Sequence, residues 1–136
     1  MREKEGRTER VLELKDLPLE RVRAHGGEGE ILFHRVFHAR AFRGPWNFVD
    51  YAVLPPGTSI GVHTHGENEE LYLVLEGHGE MVLDGERFTV GPGSVVLNRP
   101  GGTHGLANPG PGPLRIFVVE VRADAPGRAP EDSRKG

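Results

Sequence analysis

The chain has 136 residues, 17 of them basic and 20 acidic, for a formal net charge of −3, and it contains no cysteine. A nearly balanced charge without like-charged blocks gives no reason to expect nucleic acid or an anionic membrane as a partner. The missing thiols exclude disulfides, thiolate metal sites and cysteine nucleophiles, so any metal must be held by nitrogen and oxygen.

Residues 1–8 are polar and are expected to be mobile. They lack the apolar stretch of a signal peptide, and runs such as LYLVL at 71–75 are too short to span a bilayer. A cytoplasmic location is the expectation. Residues 9–14 (ERVLEL) alternate as a strand does, and 16–25 (DLPLERVRAH) read as a short helix or a turn with Asp16 as cap. A glycine-rich loop at 26–30 precedes strand-like runs at 31–38, 47–54, 59–65, 70–77, 79–83, 86–90, 94–98, 103–108 and 114–121. Turn-forming residues separate nearly every pair, as the 20 glycines and 11 prolines require, and Asp84-Gly85 is a strong hairpin signal. The tail 123–136 has the composition of a disordered segment. The pattern predicts an all-β fold of about nine or ten antiparallel strands, a sandwich, jelly roll or barrel, as one domain over 9–122.

Seven histidines are spread along the chain. His63 and His65 are two apart in a strand-like run, so their imidazoles project to one face. Gly66-Glu67-Asn68-Glu69 has turn composition, and a hairpin there returns Glu70 beside the pair, with Tyr72 and Val74 on the same face as Glu70. His104 follows the RPGGT turn about 40 positions later and needs the fold to bring it in. Three imidazoles and a carboxylate suit one divalent ion of Mn, Fe, Ni, Zn or Co, and an octahedral ion keeps two positions for water or substrate. His34 and His38 share a face with no other ligand at a useful spacing and read as structural or rim residues. His25 and His78 lie in glycine-rich turns and are expected to be exposed.

The segment Gly57-TSIGV-His63-Thr-His65-GENE-Glu70-LYLVLE-Gly77 resembles the first sequence motif of the cupins, with each fixed position filled. The segment Gly93-SVVLN-Arg99-Pro100-Gly101-Gly102-Thr103-His104-GLA-Asn108 resembles the second, except that Arg99 replaces the usual proline and Pro100 stands one step later. The resemblance implies a jelly-roll barrel with His63, His65, Glu70 and His104 as metal ligands. It also implies a homodimer, for which strands 9–14 and 31–38 are the candidate contacts.

The cupin resemblance spans many reactions and does not select one. One reading is a metal-dependent enzyme on a small carboxylate, sugar or phenolic substrate, as a dioxygenase or an isomerase. Tyr72 is then the candidate catalytic residue for proton transfer, Arg99 the candidate for catching an anionic substrate, and Trp46, with Phe48 and Tyr51, a candidate pocket wall. Another is a non-catalytic module in which the metal anchors a sugar or carboxylate ligand. A third is a closed structural zinc site. Asn108 is expected to fix the turn after His104. The expected partners are a small molecule and a second copy of the chain, with no nucleic acid and no membrane.

Overall fold

The computed structural model describes residues 10–123. The segments expected to be mobile at 1–8 and disordered from 124 onward lie outside the described residues. Ten strands are formed: β1 (Glu20–Val22), β2 (Ile31–His38), β3 (Trp46–Leu54), β4 (Ser59–Thr64), β5 (Glu69–Glu76), β6 (Gly79–Leu83), β7 (Glu86–Val90), β8 (Val95–Asn98), β9 (Thr103–Ala107) and β10 (Leu114–Val121). They build two antiparallel sheets, one of six strands in the order β1-β2-β3-β10-β5-β8 and one of four in the order β4-β9-β6-β7. The all-β jelly roll expected from the turn spacing is the observed architecture. Among the described residues, no helix is long and apolar enough to cross a membrane.

The N-terminal region departs from expectation. Among the described residues 10–14 there is no strand; a 3-10 turn covers Leu14–Asp16, and Leu17 is already extended. Pro18 disfavours helix at the preceding residue, and the chain then pairs with β2 as β1, with Glu20 opposite Phe33. Backbone pairing to an available edge overrides the weak helical pattern of 16–25. The other strands fall within a residue or two of the expected runs.

Period-two alternation sorts each strand's side chains. Along β5, Glu70, Tyr72 and Val74 are buried between the sheets, while Leu71 and Leu75 face out. Leu54, Met81, Leu106, Leu114 and Ile116 fill the interior with less than 2 % exposure each. The Asp84-Gly85 turn joins β6 to β7 with positive φ at both residues (50° and 89°) and Leu83 opposite Glu86. This is the backbone that a two-residue hairpin requires and that Asp-Gly tolerates. At Gly77, φ is +88° and an added Cβ would meet the Pro113 carbonyl oxygen, so only glycine lets β5 turn there against the start of β10.

Asn108, 2 % exposed, closes the barrel end behind β9. Its Nδ2 donates to the carbonyls of Leu54 at 2.7 Å and Gly112 at 2.8 Å, and its Oδ1 accepts from the Gly110 amide at 2.8 Å. One side chain thereby ties the β9–β10 loop to the end of β3. Asn108→Ala strands the buried Leu54 carbonyl and leaves the Gly112 carbonyl and Gly110 amide without their partner. It is expected to lower the unfolding free energy by about 2–3 kcal/mol, read as a fall in the urea midpoint at unchanged slope. A change of less than about 0.5 kcal/mol would show that the loop is held by other means.

Candidate metal centre

Strand β4 pairs with β9 in a register that puts Ile60 opposite Leu106 and His63 opposite His104. Three steps on β4 therefore match two on β9, which is a bulge at Gly61–Val62. Without it, alternation from the buried Ile60 would send Val62 and Thr64 inward. With it, Val62 stands out at 56 % exposure and His63 and His65 turn in. Gly61 also carries the crossing of 24–27: its amide donates to the Ala24 carbonyl at 2.9 Å, and an added Cβ would strike the His25 carbonyl oxygen. The crossing lays the His25 ring on the His63 ring, with centroids 3.5 Å apart and planes 9° from parallel. His25, expected only as an exposed turn residue, is thus a part of the site that sequence missed. No local signal announces it, because the contact depends on a glycine 36 positions away.

The structure brings His63, His65, Glu70 and His104 together. A nitrogen of each of the three imidazoles lies within 4.8 Å of the others, and Glu70 Oε1 is 3.1 Å from His65 Nε2 and 3.2 Å from His104 Nε2. His63 Nδ1 donates to the Gly61 carbonyl at 2.7 Å, which leaves Nε2 with its lone pair toward the cluster. His104 is fully buried, and neither ring nitrogen has a partner in hydrogen-bond geometry. Burial would raise the Glu70 carboxyl, but the adjoining His104 and His65 imidazoles hold it below its usual value. Burial also pushes His63 and His25 down, so both rings tend to neutrality. A carboxylate among imidazoles is a donor set that a divalent ion takes. The orphaned nitrogens of buried His104 are what such an ion would satisfy, and the residues present therefore fit one.

Around the cluster stand groups that sequence reading left aside. Glu120 on β10 is opposite Glu70, and its Oε2 accepts from Asn47 Nδ2 at 2.8 Å and Asn68 Nδ2 at 3.1 Å. Burial raises its carboxyl, with the neighbouring Glu70 adding to the effect and the Asn47 hydrogen bond opposing it. Asn98 on β8 flanks Glu70 on the other side, 1 % exposed with both amide atoms unpartnered. An asparagine at an inward position of the run VVLN was the signal for it.

A cavity of about 360 Å³ opens beside Glu70, between β5, β10, β3 and β2. Tyr72 lines it, 3 % exposed and edge-on to the His104 ring at 5.4 Å between centroids. Burial, together with Glu70, Asp50 and Glu120, drives its phenol well above the usual range, so it stays a hydrogen donor at neutral pH. Phe48 lines the cavity too. Trp46, Tyr51 and Arg99 do not. The β3–β10 register slips between Phe48 and Trp46, which swings Trp46 outward onto the Phe42 ring at 5.0 Å. Tyr51 lies on the opposite face of β3 and accepts from Arg115 Nη1 at 2.8 Å. Arg99 follows the inward Asn98 and so points out, exposed in the β8–β9 turn. Two arginines do line the cavity: Arg23, whose Nη1 donates to the Gly27 carbonyl at 2.9 Å, and Arg35, among inward-facing apolar residues of β2. Arg35 Nε and Nη2 reach Asp50 Oδ1 and Oδ2 at 2.9 and 3.0 Å, and its guanidinium lies 4.0 Å over the Phe48 ring.

A family model described as "Cupin domain" matches residues 50–120, from the middle of β3 to the end of β10. The chain is 34 % identical over 90 residues to an uncharacterized protein of Methanocaldococcus jannaschii, covering 66 % of this chain and 71 % of the relative. It is 29 % identical over 119 residues to a protein of Thermotoga maritima named oxalate-binding protein, covering 87 % and 98 %. A crystal structure described as a predicted oxalate decarboxylase, also from Thermotoga maritima, superposes with a TM-score of 0.79 at 26 % identity, covering 82 % of this chain and 98 % of that one.

The Arg35–Asp50 pair generates a prediction of its own. Asp50→Ala removes two charge-assisted bonds from a guanidinium that keeps partial access to water. It is expected to cost about 1–2 kcal/mol in urea unfolding, and Asp50→Asn less. Unchanged stability in Asp50→Ala would mean that water replaces the carboxylate in full.

Proposed function

The chain belongs to the cupin family, and from that premise we propose that it is a metal-dependent enzyme acting on a small organic substrate, with His63, His65, Glu70 and His104 as the ligands of one divalent transition metal. The observation that carries the reading is His104: a wholly buried imidazole with no hydrogen-bond partner, set among two more imidazoles and a carboxylate beside an open cavity. A purely structural cluster would pair its buried nitrogens within the protein. A closed structural zinc would need no cavity alongside it.

When bound, the ion supplies Lewis acidity to a substrate oxygen. The chain's own residues do the rest. Glu70 and the three histidines fix where the substrate's donor atoms lie. Tyr72, protonated and facing the cavity, holds a proton for a substrate oxygen, consistent with either an oxygenase or an isomerase. The apolar wall excludes water. A second reading, a non-catalytic module that anchors a carboxylate through the metal, is supported by the Thermotoga maritima relative named oxalate-binding protein. Sustained turnover of any bound ligand separates the two.

The ligand assignment has a direct test. Full-length protein loaded with Zn²⁺ or Mn²⁺ and then dialysed should retain about one ion per chain by elemental analysis, while His63→Ala and Glu70→Ala should each retain less than about a tenth of that. The loaded wild type should also melt several degrees higher than the metal-free form, and the variants should not. Equal metal content in wild type and both variants would overturn the assignment.

A further inference from the structure

The wall of the cavity carries information that the metal ligands do not. In the large sheet, register places side chains in rows: Phe48, Glu120, Glu70 and Asn98 in one, Arg35, Asp50, Val118 and Tyr72 in the next, and Phe33, Ala52, Ile116 and Val74 beyond. The cavity runs along these rows from Glu70 and Tyr72 on β5, past Val118, to β3 and β2. That is three strand spacings of about 4.8 Å, or roughly 14 Å from the ligand strand to the far wall.

The far end is mainly apolar. Phe33, Phe48, Ala52, Ile60 and Val118 line it. Arg35 and Asp50 also face the space, but each spends its charge on the other: both carboxylate oxygens are taken, and the guanidinium face is taken by Phe48. The pair offers no net charge to a second anionic group. A benzene-sized ligand needs about 150 Å³ of apolar space, and this cavity has about 360 Å³. A dicarboxylate as short as oxalate would use the Glu70 end only and leave the Phe33–Phe48 slot to water.

Resting on the metal reading above for the ligand's head group, we infer that the cavity is built for a ligand with an oxygen-donor head at the Glu70 end and an aromatic-sized apolar body in the Phe33–Phe48–Ala52 slot. Ala52 is the specificity determinant, because it is the small residue that faces the cavity opposite Phe33.

Three probes with related heads and different bodies test this: oxalate, pyruvate and phenylpyruvate, titrated by calorimetry into full-length, zinc-loaded protein. Zinc is redox-silent, so binding is read without turnover. Phenylpyruvate is expected to bind at least about tenfold more tightly than pyruvate or oxalate. Ala52→Leu, which fills the slot, should bring phenylpyruvate to within about threefold of pyruvate while leaving pyruvate and zinc content unchanged. Phe33→Ala, which strips the wall instead of crowding it, should weaken phenylpyruvate alone, and it decides the matter if the larger side chain prevents folding. Oxalate or pyruvate binding as tightly as phenylpyruvate to the loaded protein would overturn this inference and leave the metal reading standing, as would binding of none of the three. Failure of the wild type to retain zinc would remove the metal reading and this inference with it.

Discussion

One extra residue in β4 decides what the interior of this barrel is. Between Ile60 and His63 the strand advances three positions while β9 advances two. The side-chain period of a strand is two, so this single insertion exchanges the faces of everything after it. Ile60 belongs to the apolar core, and His63 and His65 join His104 on that same inner side. The bulge costs ladder hydrogen bonds. Part of that loss is offset by the Gly61 amide, which bonds to the Ala24 carbonyl, and by its carbonyl, which accepts from His63 Nδ1. The same glycine thus makes the bulge, admits the crossing segment with His25 and sets the tautomer of a candidate ligand.

The cluster is a buried polar network of the kind that is costly unless completed. Glu70 is 8 % exposed and must have partners to remain ionised. His65 supplies a donated hydrogen bond, which puts its proton on Nε2. His63 presents the opposite arrangement, with Nδ1 donating and Nε2 free. The three imidazoles are therefore not equivalent: one has its lone pair already aimed inward, one must surrender an Nε2 proton before that nitrogen can ligate, and one is unpartnered at both nitrogens. Ligation by such a set would release or relocate a proton, so any ion uptake would be linked to proton balance.

How much of this was legible in the sequence depends on whether the cause was local. The hairpin at Asp84-Gly85 was legible, because a two-residue turn with positive φ is written in its own residues. The nearness of His63 and His65 to Glu70 was legible but its cause was not: the expected hairpin is not formed, because β4 pairs with β9 in one sheet and β5 with β10 and β8 in the other, and the side chains meet across the two sheets. Residues whose surroundings depend on register between distant strands were not. Trp46 has the parity of Phe48 and Asp50 yet leaves the cavity, because the β3–β10 register slips just before it. Arg35 sat in plain view within ILFHRVFH, but its meaning required Asp50 opposite it and Phe48 beneath it. The segment 16–25 read as helix or turn because no sequence window shows that the edge of β2 is free to be paired.

The two ends of the cavity have opposite electrostatic characters, and the sheet is what separates them. At the β5 end, Glu70 and Glu120 face each other across one strand spacing with imidazoles beside them, an arrangement with unspent capacity for a cation. At the β3–β2 end, Arg35 and Asp50 cancel in a bidentate pair, and Arg23, which also lines the space, donates to the Gly27 carbonyl. A ligand that spans the space would meet the ionic cluster at one end and a mainly apolar wall at the other. The wall's apolar residues come from β2, β3, β4 and β10, while the ionic cluster comes from β4, β5 and β9. Substitutions in the wall can thus change which body is accepted while the cluster keeps its geometry. A scaffold divided in this way is able to keep one ionic centre while its ligands vary.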